Sequence, residues 1–463
     1  MTHTNKTYSP IDGSLYVERD LASTEEIHDA IELANQAQKK WRRMTLNKRK
    51  ALCAKAVSAF EENKDNIAEE LCWQMGRPIR YAGGEVDSFA ARSTYMISVA
   101  EESLAPMQTD PKSGFQRYIT KEPVGVVLVI APWNYPLHTP INAIIPALLA
   151  GNSVILKHSS QTPLCAERID DAFKAAGLPE GVFQYLHMSH DSCALAIQAP
   201  EIGAVAFTGS VSGGRAIEEA ATGRFINVGL ELGGKDPAYI RADADLDYAV
   251  ESAVDGAFFN SGQSCCGIER IYVHEAIYDD YLEKFVDLTK QFVLGRSDDP
   301  DTTLGPLVNV AAADFVRDQI SEAVEQGATL HIEPSSFDLN KAGTSYLAPQ
   351  VLSNVTHNMR VMTEESFGPV VGIMKVKSDN EAIDLMNDSE FGLTASIFTQ
   401  DIQTAISLGE QIETGTFFVN RCDYLDPELA WTGVKHTGRG CTLSKKGFDA
   451  FTRLKSFHIK TTT

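Results

Sequence analysis

The feature that most limits the fold is an alternation. Short, continuously apolar runs are each followed by a longer segment with helical spacing. Residues 124–130 read Val-Gly-Val-Val-Leu-Val-Ile. Such a run suits a parallel strand covered on both faces, because a strand with one wet face would alternate apolar and polar. Further strands are predicted at 154–156, 182–186 and 204–207, with helices at 139–150, 162–176 and 212–221. The pattern resumes beyond Leu232, with a helix over 249–261, extended chain at 271–273 and a helix over 277–292. Repetition of this kind implies doubly wound parallel sheets. Two such blocks flanking one junction predict two α/β domains with a cleft between them.

Ahead of these blocks, residues 23–41 place Ile27, Ala30, Ile31, Ala34 and Trp41 at helical spacing, and Ser23 with Glu26 forms a capping box. Helices are also expected over 46–75 and 84–103, then a turn-rich stretch at 104–113 and a strand over 115–120. The length, 463 residues, suggests two or three domains. A net charge of -21 argues against nonspecific binding to nucleic acid or an anionic membrane, since both need a basic face. No run reaches the roughly 18 to 20 apolar residues that span a bilayer. Residues 1–6 lack the apolar core of a secretory signal. The eight cysteines are scattered, with no Cys-x-x-Cys pair and no Cys/His cluster at zinc spacing. No metal and no disulfide framework are expected, and the expected setting is the reducing cytoplasm.

Several segments carry chemistry. Cys265 directly follows Gly262-Gln263-Ser264, where a glycine lets the backbone approach a ligand. A thiolate there can attack a carbonyl carbon and hold the product as a thioester. Trp133-Asn134 follows the first parallel strand, and open α/β sheets bind ligands beyond the carboxyl ends of their strands. Lys157 ends the next strand, within reach of ribose hydroxyls or a phosphate. Thr208-Gly209-Ser210 joins a strand to a helix whose N-terminus attracts anions. Glu231, between Leu230 and Leu232, has the semi-buried setting of a general base. Glu365, near Phe367, can accept hydrogen bonds from a ribose diol. Taken singly, each has a plainer alternative: a core cysteine, a turn asparagine, a solvated lysine or an exposed acid.

Together these segments resemble the aldehyde dehydrogenase superfamily along nearly the whole chain. The segments are Pro-Trp-Asn-Tyr-Pro, Phe-Thr-Gly-Ser, Glu-Leu-Gly-Gly-Lys, Gly-Gln-Ser-Cys and Glu-Ser-Phe-Gly-Pro. The resemblance implies that Cys265 is the nucleophile and Glu231 the general base. It implies that Asn134, with the backbone N–H of Cys265, forms the oxyanion hole. Lys157 and Glu365 would hold the two riboses, Phe367 would pack near the nicotinamide, and Trp133, Gly209 and Ser210 would line the cofactor site. The implied reaction is NAD(P)-dependent oxidation of an aldehyde to its acid. The implied organisation is a cofactor domain (1–103 and 123–232), a catalytic domain (233–440) and a small β element for oligomerisation (104–122 and 441–463). That element predicts a homodimer or homotetramer.

Some positions depart from the family. Ser160 stands where many NAD-preferring members carry a glutamate that repels a 2′-phosphate, so NADP is expected to be accepted, alongside NAD. His158 replaces the commoner proline, and Cys441 and Thr442 replace a glutamate of the closing segment. Succinate semialdehyde members often grip the substrate carboxylate with arginines, where this chain has Phe259 and the pair Glu101-Glu102. Those absences count against that substrate, but a succinate or other semialdehyde dehydrogenase stays as the first alternative, since some short semialdehyde dehydrogenases resemble this chain in His158 and in length. His138, Asn142, Phe259, Ser264 and Trp431 are candidate tunnel lining. The remaining alternatives are a CoA-acylating dehydrogenase, disfavoured by Glu231, and a silent crystallin-like member, disfavoured by Cys265, Glu231 and Asn134.

Overall fold

The computed structural model describes residues 4–461. Residues 1–3 and 462–463, the extreme ends of the expected N-terminal block and C-terminal tail, lie outside the described residues.

The first apolar run forms strand Val126–Ile130, buried at every position. Val127 and Val129 enter one core, while Val126, Leu128 and Ile130 enter another. Helices therefore cover both faces, as the unbroken apolar pattern requires. This strand is central to a six-stranded sheet in the order Gly438–Arg439, Asn227–Glu231, Ile202–Thr208, Val126–Ile130, Ser153–Lys157, Phe183–Tyr185. Every neighbouring pair is parallel except Gly438–Arg439, which runs antiparallel to Asn227–Glu231.

A seven-stranded sheet is built from the later alternating block. Its order is Thr329–Leu330, Gln350–Ser353, Val370–Val376, Ile268–His274, Asp236–Ile240, Thr394–Phe398, Thr416–Val419. Only the edge pair formed by Thr329–Leu330 and Gln350–Ser353 is antiparallel. A separate three-stranded antiparallel sheet joins Thr452–Lys460 to Phe115–Pro123 and Met107–Gln108. The α/β class and the two doubly wound sheets match expectation.

Some elements differ from the sequence pattern. The helix expected over 46–75 is two, Leu46–Glu61 and Lys64–Met75. Asn63 breaks it with φ -101° and ψ 17°, and its side chain accepts from Asn66 Nδ2 at 2.7 Å. A break of two residues leaves the apolar periodicity nearly in phase, so the pattern hides it. The next helix begins at Ile79 rather than 84, running through Gly83 and Gly84. The helix expected over 249–261 spans Leu246–Phe258, and a tight turn follows it. The N-terminal hairpin Thr4–Tyr8 with Leu15–Asp20 and helix His190–Gln198 carried too little apolar periodicity to be foreseen.

The capping box at Ser23 forms as expected, and helix Thr24–Trp41 ends on a residue only 1% exposed. Trp41 Nε1 donates to the Leu148 carbonyl at 2.8 Å, tying this helix to His138–Ala150. Trp41→Phe keeps most of the ring volume but removes one of two donors to that carbonyl, which still accepts from the Gly151 N–H at 3.0 Å. Chemical denaturation should show a loss of about 0.5 to 1.5 kcal/mol.

Candidate active site

The parallel strands of the six-stranded sheet end abreast, with Ile130 beside Lys157 on one side and Phe207 on the other. The turns beyond them bring Asn134, Gly209 and Ser210 to one rim, and Glu231 ends the next strand. Two turns leading into the seven-stranded sheet face that rim. One precedes strand Ile268–His274 and carries Cys265; the other precedes Val370–Val376 and carries Glu365 and Phe367.

Two cavities meet at this junction. One, of about 270 Å³, is lined by Trp133, Asn134, Gly209, Ser210, Glu231, Cys265, Glu365 and Phe367. The other, of about 310 Å³, is lined by residues that include Arg92, His138, Phe259, Ser264, Asp423 and Trp431. Cys265 and Glu231 belong to both walls. The two cavities are therefore bordered by one sulfur.

The backbone before that sulfur is unusual. Asn260, Ser261 and Gly262 take φ of 54°, 57° and 72° in succession. Non-glycine residues rarely adopt this region, so surrounding bonds must hold it. Arg77 Nε donates to Asn260 Oδ1 at 3.2 Å, and Ser261 Oγ donates to the Gly305 carbonyl at 2.8 Å. Asn260 Nδ2 donates to the carbonyls of Asn134 and Gln263 at 3.3 and 3.2 Å. A Cβ on Gly262 would lie 2.2 Å from the Gly368 carbonyl oxygen. The expectation that Gly262 clears room for a ligand is corrected: it clears room for the neighbouring turn.

The adjacent cysteines differ sharply. Cys265 is partly exposed, whereas Cys266 is 2% exposed and donates to Asp423 Oδ1 at 3.0 Å. A hydrogen bond with Cys265 and burial hold the Cys266 thiol well above its ordinary pKa. Cys266 is thus a protonated structural donor.

Glu231 accepts from Thr442 Oγ1 at 2.5 Å and from Thr208 Oγ1 at 3.1 Å. Burial raises its pKa against these two bonds. Asn134 Nδ2 donates to the Gln263 carbonyl at 3.2 Å, two residues before Cys265. Glu365 packs against Gly233, where a Cβ would lie 2.3 Å from its oxygen, and accepts from the Gly234 N–H at 3.0 Å. Trp133 meets Phe367 edge-on, with ring centroids 5.6 Å apart.

The chain matches the aldehyde dehydrogenase family over residues 1–457. It belongs to that family. It is an NAD(P)-dependent aldehyde dehydrogenase. It is 34% identical over 438 residues to the NAD(P)+ succinate semialdehyde dehydrogenase Sad of Escherichia coli K12, covering 94% of this chain and 93% of that one. It is 35% identical to human retinal dehydrogenase 2, covering 98% of this chain and 88% of that one. The succinic semialdehyde dehydrogenase of Streptococcus pyogenes, solved with NADP+, superposes with a TM-score of 0.94 at 32% identity, covering 98% of this chain and 100% of that one.

Two of the expected cofactor residues of this aldehyde dehydrogenase stand outside the smaller cavity's wall. Lys157 is 6% exposed at its strand end, and no carboxylate pairs with it among the described residues. Burial lowers its pKa. Ser160 is exposed, and its carbonyl accepts from Asn5 Nδ2 and Thr7 Oγ1, both at 2.8 Å. Ser210 lines the wall but its hydroxyl accepts from the Gly213 N–H at 3.1 Å, capping helix Val211–Ala220. His158 is bonded through Nε2 to the Pro136 carbonyl at 2.7 Å, and burial lowers its pKa to about 4. It is a neutral strut between two rim turns. Of the five tunnel candidates, only Asn142 is missing from the larger cavity's wall. It sits buried behind that wall beside Arg92.

Other residues organise the site without having been foreseen. Glu269 accepts from the Ser366 and Phe367 N–H groups at 2.8 and 3.0 Å and pairs with buried Lys235. Thr442, at the position of the missing family glutamate, is the donor to Glu231. Arg77, Glu85 and Arg92 sit buried near the rim. A signal existed for the last two. Glu85 and Arg92 are seven residues apart on the stripe formed by Val86, Phe89 and Met96, so charges fall on an apolar helix face.

Burial and the nearby Glu269 charge raise the Glu365 carboxyl from 4.5 to about 8. A carboxyl raised on folding stabilises the fold fully below its unfolded pKa and loses that contribution as pH rises through the folded value. The thermal midpoint of the cofactor-free enzyme should fall as pH rises from about 4.5 to about 8. Glu365→Gln should flatten that slope, as scanning calorimetry across pH can test.

Proposed function

We propose that Cys265 Sγ adds to the aldehyde carbon and carries the acyl group as a thioester until water releases the acid. The observation that supports this most directly is the shared wall: Cys265 and Glu231 border both cavities. The Asn134 amide and the Cys265 N–H are the donors for the oxyanion of the adduct, each worth about 3 to 4 kcal/mol in comparable sites. Glu231, raised by burial, takes the proton of the attacking water. Thr208 and Thr442 hold its two oxygens and so set its direction. A base aimed at water supports hydrolysis over transfer to CoA.

The residues of the smaller cavity fit a nicotinamide dinucleotide. Glu365 is a buried carboxyl with one backbone donor, and the two hydroxyls of a bound diol would favour its ionised form against the protonated form that burial favours. Trp133 and Phe367 offer flat apolar walls, and Ser210 caps a ten-residue helix whose N-terminus favours phosphate. Lys157 is a buried cation without a carboxylate partner among the described residues. When bound, the cofactor accepts the two electrons whose loss turns the adduct into the acyl state. We assign residues 1–103 and 123–232 to its binding, 233–440 to the nucleophile, and 104–122 with 441–463 to subunit pairing. Strand Thr452–Lys460 is an outer edge with Leu454 64% exposed, which favours pairing with a second copy into a homodimer or homotetramer. Eight free cysteines suit a reducing cytoplasm.

The substrate we propose is a short aldehyde ending in a carboxylate, the class named for two of the relatives above.

Cys265→Ala should abolish NAD(P)H formation, and mass spectrometry after brief substrate exposure should place the acyl adduct on Cys265 in the parent. Activity retained in Cys265→Ala would remove the mechanism. The Ser160 hydroxyl makes no hydrogen bond among the described residues, so a longer acid can be accommodated there. A charge about 4 Å from a 2′-phosphate is worth about 1 to 4 kcal/mol of repulsion. Ser160→Glu should therefore lower kcat/KM with NADP by about tenfold or more relative to NAD. Steady-state kinetics with both cofactors reads this directly, and an unchanged ratio would refute the role of Ser160.

A further inference from the structure

The larger cavity contains a charge the mechanism does not use. Arg92 lies on helix Ile79–Leu104, lines that cavity and is 5% exposed. Its Nη1 reaches the His138 carbonyl at 3.4 Å and the Asn142 side-chain oxygen at 3.3 Å. Both are long for N–H···O bonds. No carboxylate pairs with Arg92 among the described residues, and no bond engages its Nε or Nη2 there. Glu85, on the same helix, is already paired with Arg77 and accepts from the Leu137 N–H at 2.8 Å. Burial lowers the Arg92 pKa only to about 10, so the guanidinium stays charged at neutral pH.

A buried, unpaired guanidinium is expensive. A ligand carboxylate that completes its fork of donors removes that penalty. We propose that Arg92 is the carboxylate anchor of this enzyme, holding the far end of a short ω-carboxyaldehyde whose carbonyl meets Cys265 across the same cavity. This rests on the proposed substrate class and names the residue that would select it. It also answers the two missing arginines: the charge comes from an earlier turn of the helix that carries Glu101 and Glu102 in its last turn. Those two are exposed, and Glu102 pairs with Lys445 at 2.6 Å, away from the cavity.

Acids face the same space. Asp423 Oδ1 already accepts from Ser264 Oγ at 2.8 Å and Cys266 at 3.0 Å, and burial raises its pKa. Asp255 is exposed on helix Leu246–Phe258. Glu231 also lines this cavity, with its oxygens held by Thr442 and Thr208. None of the three matches Arg92 as a buried charge lacking a partner, so the cavity favours an anionic tail over an amine.

The test compares succinate semialdehyde, its neutral methyl ester and 4-aminobutanal in the parent, Arg92→Gln and Arg92→Lys, each checked for folding by thermal melt. The parent should favour succinate semialdehyde over the ester. In Arg92→Gln that preference, as a ratio of kcat/KM values, should fall about 100-fold, chiefly through KM for the acid. Arg92→Lys should keep an intermediate ratio. If the parent prefers the ester or the amine, the substrate class itself is wrong. If the parent prefers the acid and Arg92→Gln keeps that preference, the substrate class stands and the anchor is overturned. An equal loss on all three aldehydes would make Arg92 merely structural and also overturn it.

Discussion

Arg77 and Glu85 form a buried ion pair that reaches three parts of the chain at once. Arg77 Nη2 donates to the Asn134 carbonyl at 2.6 Å, and its Nε holds Asn260. Glu85 accepts from the Leu137 N–H, just before helix His138–Ala150. The pair thereby ties the turn bearing Asn134 to the left-handed turn that presents Cys265. Those turns belong to two different sheets, so their separation is a tertiary quantity. Removing one partner of such a pair strands a buried charge, at about 3 to 5 kcal/mol. That penalty keeps the amide and the sulfur in register.

A second constraint is the absence of side chains where the two halves touch. Gly233 lies against the Glu365 carboxylate, and a Cβ on Gly234 would meet the Cys265 carbonyl oxygen at 2.4 Å. The double glycine therefore lets Glu231, Cys265 and Glu365 share one small volume. Glu269 completes the arrangement from below by binding the N–H groups of Ser366 and Phe367. Phe367 can then sit at φ 50°, facing Trp133. Three carboxylates thus converge on the site with three environments: one held by hydroxyls, one by a single backbone donor, one by an ammonium and two amides.

Much of the fold could be read in advance because parallel strands covered on both faces need continuous apolar runs. Strands Val126–Ile130 and Ser153–Lys157 announced themselves in this way. The helix break at Asn63 and the turn after Phe258 did not, since neither disturbs the apolar spacing enough. The segments bearing Asn134, Glu231, Cys265 and Glu365 stood out because they place reactive or flexible residue types at strand ends. Glu269 did not stand out, because its importance lies in what it touches from distant elements; Arg92 showed only as a charge on an apolar helix face and Thr442 only as a departure from the family.

Residue order alone determined the class of fold, the family and the chemical types near the sulfur. Those follow from local periodicity and from short motifs, which require no knowledge of distant neighbours. Tertiary structure alone decided that one cysteine faces two cavities while the next is locked to Asp423 as a proton donor. It alone decided that Thr442 donates to Glu231, and that Arg92 carries an unpaired charge into the larger cavity. Burial and pairing are properties of space, and chain neighbours do not fix them.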